Sequence, residues 1–183
     1  LQARYPEAEA YLTEGLVRAR EYDLTETAAG ILIGLGTSAY QQNQADRAEG
    51  YFQESLIAAR EAKDQRAIIV SLDNLALADF RRGDLEKAEA GYLEALALAR
   101  EIKDPESESH LLQVLGALEA RRGNHDAADK YYLDGLSIAR DLKFKERISA
   151  FLANLAELTF TRGDPAGAMA YMAESLATAR EIG

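Results

Sequence analysis

The sequence repeats itself every 40 residues, and this period limits the possible folds more than any other feature. Six positions of the repeat keep one residue type in every copy. These invariant columns are Arg20, Arg60, Arg100, Arg140 and Arg180; Ala19, Ala59, Ala99, Ala139 and Ala179; Leu16, Leu56, Leu96, Leu136 and Leu176; Ala8, Ala48, Ala88, Ala128 and Ala168; Leu32, Leu72, Leu112 and Leu152; and Leu35, Leu75, Leu115 and Leu155. A period of this length is typical of arrays in which each copy packs on its neighbours.

Each period contains two stretches whose apolar residues have helical spacing. In the second stretch Ala48, Phe52, Ser55, Leu56 and Ala59 recur on one helical face. One helix pair cannot bury this face alone, so the copies are expected to stack into an all-α solenoid. The small residues of the face allow two backbones to approach closely.

Turn signals separate the helical stretches. Glycine accepts the left-handed backbone that ends a helix, and Asp or Asn caps the next one. The turns between the two helices of a copy are predicted at Asn43-Gln44, Gly83-Asp84, Gly123-Asn124 and Gly163-Asp164. The pattern predicts nine helices, at 4–21, 24–42, 45–62, 64–82, 85–102, 105–122, 125–142, 145–162 and 165–182.

One copy carries the residues of a known repeat family, in the order Leu112, Leu115-Gly116, Gly123, Ala128, Tyr132 and Gly135. This order resembles the tetratricopeptide repeat, and the resemblance covers the whole chain. It implies a single right-handed α-solenoid of antiparallel helix pairs. The predicted parts are a half repeat at 1–22 and full repeats at 23–62, 63–102, 103–142 and 143–183. The chain opens at Leu1 inside a repeat, so we expect it to be a piece of a longer protein.

The chain departs from the usual 34-residue repeat in several places. The invariant arginines stand where the second helix usually ends near a proline, the first-position Trp is Leu, and Ala76 and Ala156 replace the usual glycine. The long helices and the ending Ala99-Arg100-Glu101-Ile102 are similar to a long-repeat subgroup. That subgroup includes kinesin light chain, spindle-orientation adaptors, and bacterial regulators and ATPases.

Charge and composition exclude several classes of function. The net charge is −10, with 31 acidic against 21 basic residues, which disfavours direct nucleic-acid binding. The chain has no cysteine, so it has no disulfide and no cysteine-ligated metal. No apolar run approaches the ~18 residues that a membrane span needs, and no signal peptide is recognisable. We expect a cytoplasmic protein that has no membrane partner.

Two charged columns invite a ligand-binding hypothesis, but a structural interpretation explains each of them better. An arginine at the C-terminal end of every second helix interacts favourably with the helix dipole. Arg60 can also pair with Asp64, four residues further along the chain. The acidic column comprises Glu14, Glu54, Glu94, Asp134 and Glu174. Its members are expected ~10 Å apart, too far to share a cation, so we interpret them as a solvated face.

The sequence offers no catalytic constellation. His110 and His125 have no cysteine or histidine partner at metal-ligand spacing, and no glycine-rich phosphate loop is present. We therefore expect no metal, no cofactor and no enzymatic activity.

The first-helix face varies between copies, as positions that recognise a partner should. The resemblance implies that the first helices line a concave groove for extended peptides or helices. The candidate partner-binding residues are Tyr40, Asp73, Asn74, Leu77, Phe80, Arg81, His110, Gln113, Arg121, Asn154, Glu157 and Phe160. Asn74 and Asn154 match an asparagine that often contacts a ligand's main chain in related repeats, and Arg81 and Arg121 can clamp a carboxylate.

Two functions remain open from the sequence. The first is a protein- or peptide-binding module, as the sensor or docking part of a larger bacterial regulator. The second is self-assembly into homo-oligomers through the end faces, because the outermost helices, 4–21 and 165–182, lack polar caps.

Overall fold

The computed structural model describes residues 5–181, which form nine α-helices joined by short turns. These are α1 (Tyr5–Glu21), α2 (Thr25–Gln41), α3 (Ala45–Ala62), α4 (Gln65–Arg82), α5 (Leu85–Glu101), α6 (Pro105–Arg122), α7 (His125–Asp141), α8 (Lys145–Thr161) and α9 (Pro165–Arg180). The nine predicted helices are confirmed, and their described ends lie within two residues of the predicted ones. The ends predicted at residues 4 and 182 lie outside the described residues. Even-numbered helices are the first helices of their repeats, and odd-numbered ones are the second helices.

The chain divides into two compact units, Leu1–Leu98 and Ala99–Gly183, and the boundary falls inside α5. In the first unit α2 packs between α1 and α3, and α4 packs on both α3 and α2. In the second unit α7 packs between α6 and α8, α8 contacts α6, and α9 packs on α8. First helices of neighbouring repeats are therefore adjacent within each unit. The single array over residues 1–183 stays a prediction.

Every turn contains one residue with a left-handed backbone. Gly83, Gly123 and Gly163 have φ of 88°, 81° and 84°, as the glycine pattern predicts. The turns from a second helix to the next first helix use a non-glycine residue instead. These residues are Asp23, Lys63, Lys103 and Lys143, with φ between 53° and 58°. No sequence signal marks them, because a non-glycine residue seldom adopts this conformation.

Aspartate side chains cap the N-terminal turns of α4, α6 and α9. Asp64 Oδ1 accepts from the Ala67 N–H at 3.1 Å, and the Asp104 and Asp164 carboxylates do the same three residues on. The cap predicted at Asn124 is wrong, because its side chain makes no cap hydrogen bond. Its amide instead donates to the buried Glu119 at 2.8 Å.

Small residues allow the two helices of a repeat to cross closely. Ser55 Oγ donates to the Ala29 carbonyl at 3.0 Å, and Ser109 Oγ donates to the Gly135 carbonyl at 3.1 Å. A hydroxyl on a side chain as short as serine reaches the backbone of the other helix only where the two helices lie close together, which requires small side chains at the crossing. The same requirement holds at Gly116, where an added Cβ would lie 2.4 Å from the ring of Tyr132. The small columns of the sequence are therefore helix-crossing positions.

Three arginines of the column pair with the acidic column of the following repeat, whereas Arg100 pairs with Glu108 of α6. The pairs are Arg20–Glu54 at 2.5 Å, Arg60–Glu94 at 2.8 Å and Arg140–Glu174 at 2.5 Å. The expected pair between Arg60 and Asp64 is wrong, because Asp64 caps α4 instead. The acidic column is solvent-exposed, as predicted, but three of its members, Glu54, Glu94 and Glu174, form one side of an ion-pair ladder between second helices.

Candidate functional site

In the first unit, the candidate residues lie on the surface of two adjacent first helices. They are Tyr40 on α2 and Asp73, Asn74, Leu77, Phe80 and Arg81 on α4. Arg81 is exposed and the others are half-buried. The leucine columns of the same helices supply the buried side instead, as Leu32 and Leu72 show. Each first helix thus presents its varying residues away from the core.

The structure brings Tyr40 and Arg81 together across the two helices. The Arg81 guanidinium lies over the Tyr40 ring, 4.7 Å from its centroid, which is cation–π geometry. These two residues line a cleft of about 200 Å³, together with Asn43, Ala45, Glu49, Ala78 and Arg82. The side chains of neighbouring repeats therefore meet at one point on the first-helix face.

The two neighbouring arginines of this cleft differ in their partners. Arg82 donates to Glu49 at 2.6 Å and to Asp79 at 2.8 Å, and these hydrogen bonds raise the pKa of its guanidinium. Arg81 makes no ion pair within residues 5–181, and its contact there is the ring of Tyr40. The cleft therefore holds one neutralised guanidinium and one with an unneutralised charge.

The Tyr40 hydroxyl is buried and has no hydrogen-bond partner among the described residues. Burial raises the pKa of this phenol, and the positive charge of Arg81 opposes the shift. A buried polar group without a partner costs about 1–3 kcal/mol. Such an orphaned group is uncommon in folded proteins and requires an explanation.

Two acidic side chains, Asp73 and Asp79, lie near a second buried phenol beside this cleft, that of Tyr92. Burial raises the pKa of Tyr92, and the charges of Asp73 and Asp79 raise it further. Tyr40 contributes to the same shift, so these four groups share one region of the first unit. The first-helix face here has mixed charge, with Arg81 as its positive end.

The two candidate asparagines differ in their hydrogen bonds. Asn74 Nδ2 donates to the Val70 carbonyl of its own helix at 2.8 Å, which occupies one of its two N–H groups. The Asn154 side chain makes no hydrogen bond to any residue between 5 and 181. Both side chains are half-buried. Their predicted contact with a ligand's main chain stays a prediction.

In the second unit, the candidate residues lie on α6 and α8. His110 and Gln113 line an open cleft of about 510 Å³ with Glu106, Phe144, Glu146 and Arg147. Phe160 is 67% exposed, and Arg121 and Glu157 are also exposed. Glu157 lies near the buried Tyr132, and burial together with this carboxylate raises the pKa of the phenol to about 12. The structure does not bring Arg121 or Phe160 into this cleft.

The sequence did not single out several residues that line these clefts. Asn43 and Ala78 complete the cleft around Tyr40, and Glu146 and Arg147 complete the one around His110. Asn43 follows Tyr40 by about one turn, Ala78 lies within the candidate face of α4, and Glu146 and Arg147 lie in the first turn of α8. Placing the ends of neighbouring first helices side by side at the 40-residue period would have found them.

Across residues 5–181, no group of three or more His, Asp or Glu side chains is placed to hold a metal ion. Every helix there is too short or too polar to cross a lipid bilayer.

Family models identify the repeat directly. Two models described as "Tetratricopeptide repeat" match residues 65–141 and 150–182, which together are more than half of the chain. No curated protein matches the sequence.

Solved structures share the fold at low sequence identity. BtubC (BKLC) from P. vanneervenii is 20% identical with a TM-score of 0.88, over 99% of this chain and 75% of that one. A signal transduction ATPase with numerous domains and a tetratricopeptide repeat sensor, from Pyrococcus horikoshii, is 19% identical with a TM-score of 0.74. The match covers 98% of this chain and 30% of the ATPase chain. The Rap conjugation gene regulator of plasmid pLS20, in complex with the Phr* peptide, is 17% identical with a TM-score of 0.69, over 98% and 60%.

These matches agree with the helix pairs, the turns and the close crossings of each repeat. The predicted all-α, TPR-like solenoid fold is confirmed. The chain belongs to the tetratricopeptide-repeat family.

Proposed function

We propose that this chain is a scaffold that binds a protein or peptide on the exposed face of its first helices. The observation that carries this proposal is the division of each first helix into two sides. The invariant leucines of the first helices are buried, apart from the half-buried Leu75, whereas the residues that differ between copies reach the surface. A position needed only for packing is buried and constant, so exposed variation is where specificity for a partner can reside.

The wider role is also part of the proposal. We infer that the chain is a non-catalytic, cytoplasmic sensor or docking part of a larger bacterial regulator, and that it does not bind nucleic acid. The Rap regulator is described in complex with a peptide, and the ATPase is described as carrying a repeat sensor. Both descriptions concern those proteins. This chain spans 30% of the ATPase chain, so the activity of a whole parent protein is a proposal too.

A matched pair of leucine substitutions tests the binding face. Random ten-residue peptides with free C-termini would be selected on the immobilised protein, and the affinity of enriched peptides measured. Leu77→Ser on the first-helix face of α4 should weaken binding roughly tenfold, because it removes apolar contact area at the interface. Leu93→Ser is the control, since Leu93 is partly exposed on the second helix α5.

Two results would contradict the proposal. Either no peptide is enriched, or Leu93→Ser weakens binding while Leu77→Ser leaves it unchanged. The second result would indicate that the partner binds on the second helices instead.

A second candidate function is self-assembly through α9. Met172 and Leu176 are 45% and 53% exposed, whereas Tyr132 and Leu136, at the same repeat positions, are 4% and 2% exposed. In both units an inner second helix is covered by the next first helix, but α9 packs on α8 alone among the described helices. Its apolar face can pair with another copy of the chain.

The register of the repeat favours one mode of assembly. Both α1 and α9 are second helices, so a head-to-tail contact does not reproduce the second-to-first-helix junction inside each unit. Pairing of like end helices remains, α1 with α1 or α9 with α9 of another copy, and we propose the α9 pair because of its exposed Met172 and Leu176. Light scattering over a concentration series tests it: Leu176→Glu should shift a dimer to a monomer, and a parent chain that stays monomeric excludes assembly.

A further inference from the structure

We propose that a cavity in the first unit binds a small organic cation, a molecule with an apolar body and one protonated amine. The cavity has a volume of about 320 Å³ and lies between the C-terminal ends of α1 and α3 and the start of α2. None of the candidate partner-binding residues lines it. The site is therefore separate from the proposed peptide-binding face of the first helices and goes beyond that function.

Two small residues leave this space open. Ala28 and Ala58 line the cavity, whereas the next repeat has Ile68 and Leu98 at the same positions. Ile68, and Ile148 two repeats further on, pack against buried core residues. An alanine at this position cannot supply that packing. The cavity therefore follows from residues that are particular to one repeat.

Apolar residues also replace polar or small ones at the mouth of the cavity. Leu24 and Ile57 are 50% and 60% exposed there. At the position of Leu24 the next two repeats have the capping residues Asp64 and Asp104, and at the position of Ile57 the next repeat has Ala97. The helix α2 therefore begins without a side-chain cap and loses the stabilisation that a cap provides. Contact with an apolar ligand gives these exposed side chains a role that stability does not explain.

The size of the cavity suits a small molecule. Its volume lies at the lower end of the ~300–1,000 Å³ that is usual for sites of small ligands. The buried Ala19, Ala28 and Leu32 form an apolar floor beneath the exposed mouth. A compact apolar body, such as one aromatic ring with a short alkyl chain, fits this space, whereas a single lysine side chain of a partner would leave much of it unfilled.

The charges of the lining favour a cation. Arg20 donates to Glu54 at 2.5 Å, so these two charges neutralise each other. The other two charged residues of the lining are Asp23 and Glu61, which form no ion pair with any residue between 5 and 181. Two helices end at the cavity and one begins there, and helix C-terminal ends also favour a cation. The mouth is therefore acidic and the floor apolar, which is the pattern that an amine with an apolar body complements.

Three probes with one apolar body and different charges test the proposal. Phenylbutylamine is positive at neutral pH, phenylbutanol is neutral and phenylbutyrate is negative. Their affinities for the whole chain would be measured by titration calorimetry. One variant, Ala28→Ile with Ala58→Leu, fills the cavity with the residues of the next repeat. A second variant, Asp23→Asn with Glu61→Gln, removes the acidic mouth, and Glu86→Gln is its control because Glu86 is exposed on α5 outside the cavity.

We expect the parent chain to bind phenylbutylamine with a Kd below about 1 mM, and the alcohol roughly fivefold more weakly. Phenylbutyrate should bind more weakly still. Filling the cavity should weaken binding of the amine at least about tenfold, and removing the acidic mouth should bring the amine to the affinity of the alcohol. Glu86→Gln should keep the affinity of the parent chain.

Three results would overturn the proposal. The amine does not bind below about 1 mM, the alcohol or the carboxylate binds as tightly as the amine, or the filled cavity binds the amine as the parent chain does. Urea unfolding shows whether each variant is folded, and the charge variant still tests the site if the filled one does not fold. Peptide selection on the first helices is a separate measurement, so failure here leaves the proposed function standing.

Discussion

Glycines that look alike in the sequence differ in what they do for the backbone. Gly83 ends α4 with φ of 88°, whereas Gly50 lies inside α3. A Cβ added at either position meets nothing within 4 Å. The two sites therefore differ in backbone conformation and not in packing, which makes them a matched pair.

Alanine substitutions at these two glycines should have opposite signs. Gly83→Ala is expected to lower the free energy of unfolding by about 1 kcal/mol or more, because alanine disfavours the left-handed conformation. Gly50→Ala should raise it by about 0.5–1 kcal/mol, because alanine is the better helix former. Urea unfolding of both variants measures the difference. Equal effects at the two sites would contradict this account of the turn.

The ionisation of Tyr132 should lower the free energy of unfolding at alkaline pH. Burial and Glu157 raise its pKa to about 12 in the folded chain, against 10.0 for an ordinary tyrosine. The phenol therefore ionises in the unfolded chain first, and the stability present below pH 10 is lost as the pH rises to about 12. The expected loss is about 1.4 kcal/mol per pH unit in that range. Tyr132→Phe keeps the ring and should lose correspondingly less stability between pH 9 and pH 11, measured by urea unfolding.

Sequence patterns predicted the glycine turns but not the lysine turns. Gly123 and Gly163 mark a left-handed residue because glycine adopts that conformation without steric cost. Lys63 and Lys143 adopt it without any such preference, so their conformation follows from the packing of the helices on either side. The same limit applies at Asn124, where a contact with Glu119 replaces the predicted cap.

At the scale of elements, ion pairs connect successive second helices. The partners are 34 residues apart, as in Arg60–Glu94. Neither the 40-residue period nor the helical period gives that separation, so the spacing within one helix predicts Asp64 as the partner of Arg60 instead. The columns were visible in the sequence, but their pairing depends on the stacking of two helices.

A double-mutant cycle at Arg60 and Glu94 should give a small coupling. Both side chains are 55% exposed, so solvent screens the pair. We expect about 0.2–1 kcal/mol, falling as salt is raised, which is usual for exposed pairs. Urea unfolding of Arg60→Ala, Glu94→Ala and the double variant measures it. A coupling of several kcal/mol that is independent of salt would contradict the assignment of the ladder to the surface.

The leucine columns should dominate the stability of each unit. Leu115 is buried in α6, whereas Leu133 on α7 is 43% exposed. Leu115→Ala is expected to lower the free energy of unfolding by about 2–5 kcal/mol, because it removes buried contacts and leaves a cavity. Leu133→Ala should cost far less. If thermal or urea unfolding showed equal losses, the interpretation of the leucine columns as core would be wrong.

At the scale of the whole molecule, the period separates what the sequence could predict from what it could not. The constant residues predicted the helices and the repeat family, because the same positions pack against neighbouring helices in every copy. The candidate site was predicted only as a face, from Tyr40 on α2 to Phe160 on α8. The cleft at Tyr40 and Arg81 depends on how two neighbouring first helices meet, and that geometry is absent from any single copy.

The most direct test of the account is to map a bound peptide by NMR on the isotope-labelled chain. Amide and side-chain shifts should change on α2, α4, α6 and α8, with the Arg81 Nε–H among the largest changes. The second helices α3 and α7 should show small changes. Shifts confined to the second helices, or to the apolar face of α9, would contradict the claim that the varying face of the first helices holds the partner.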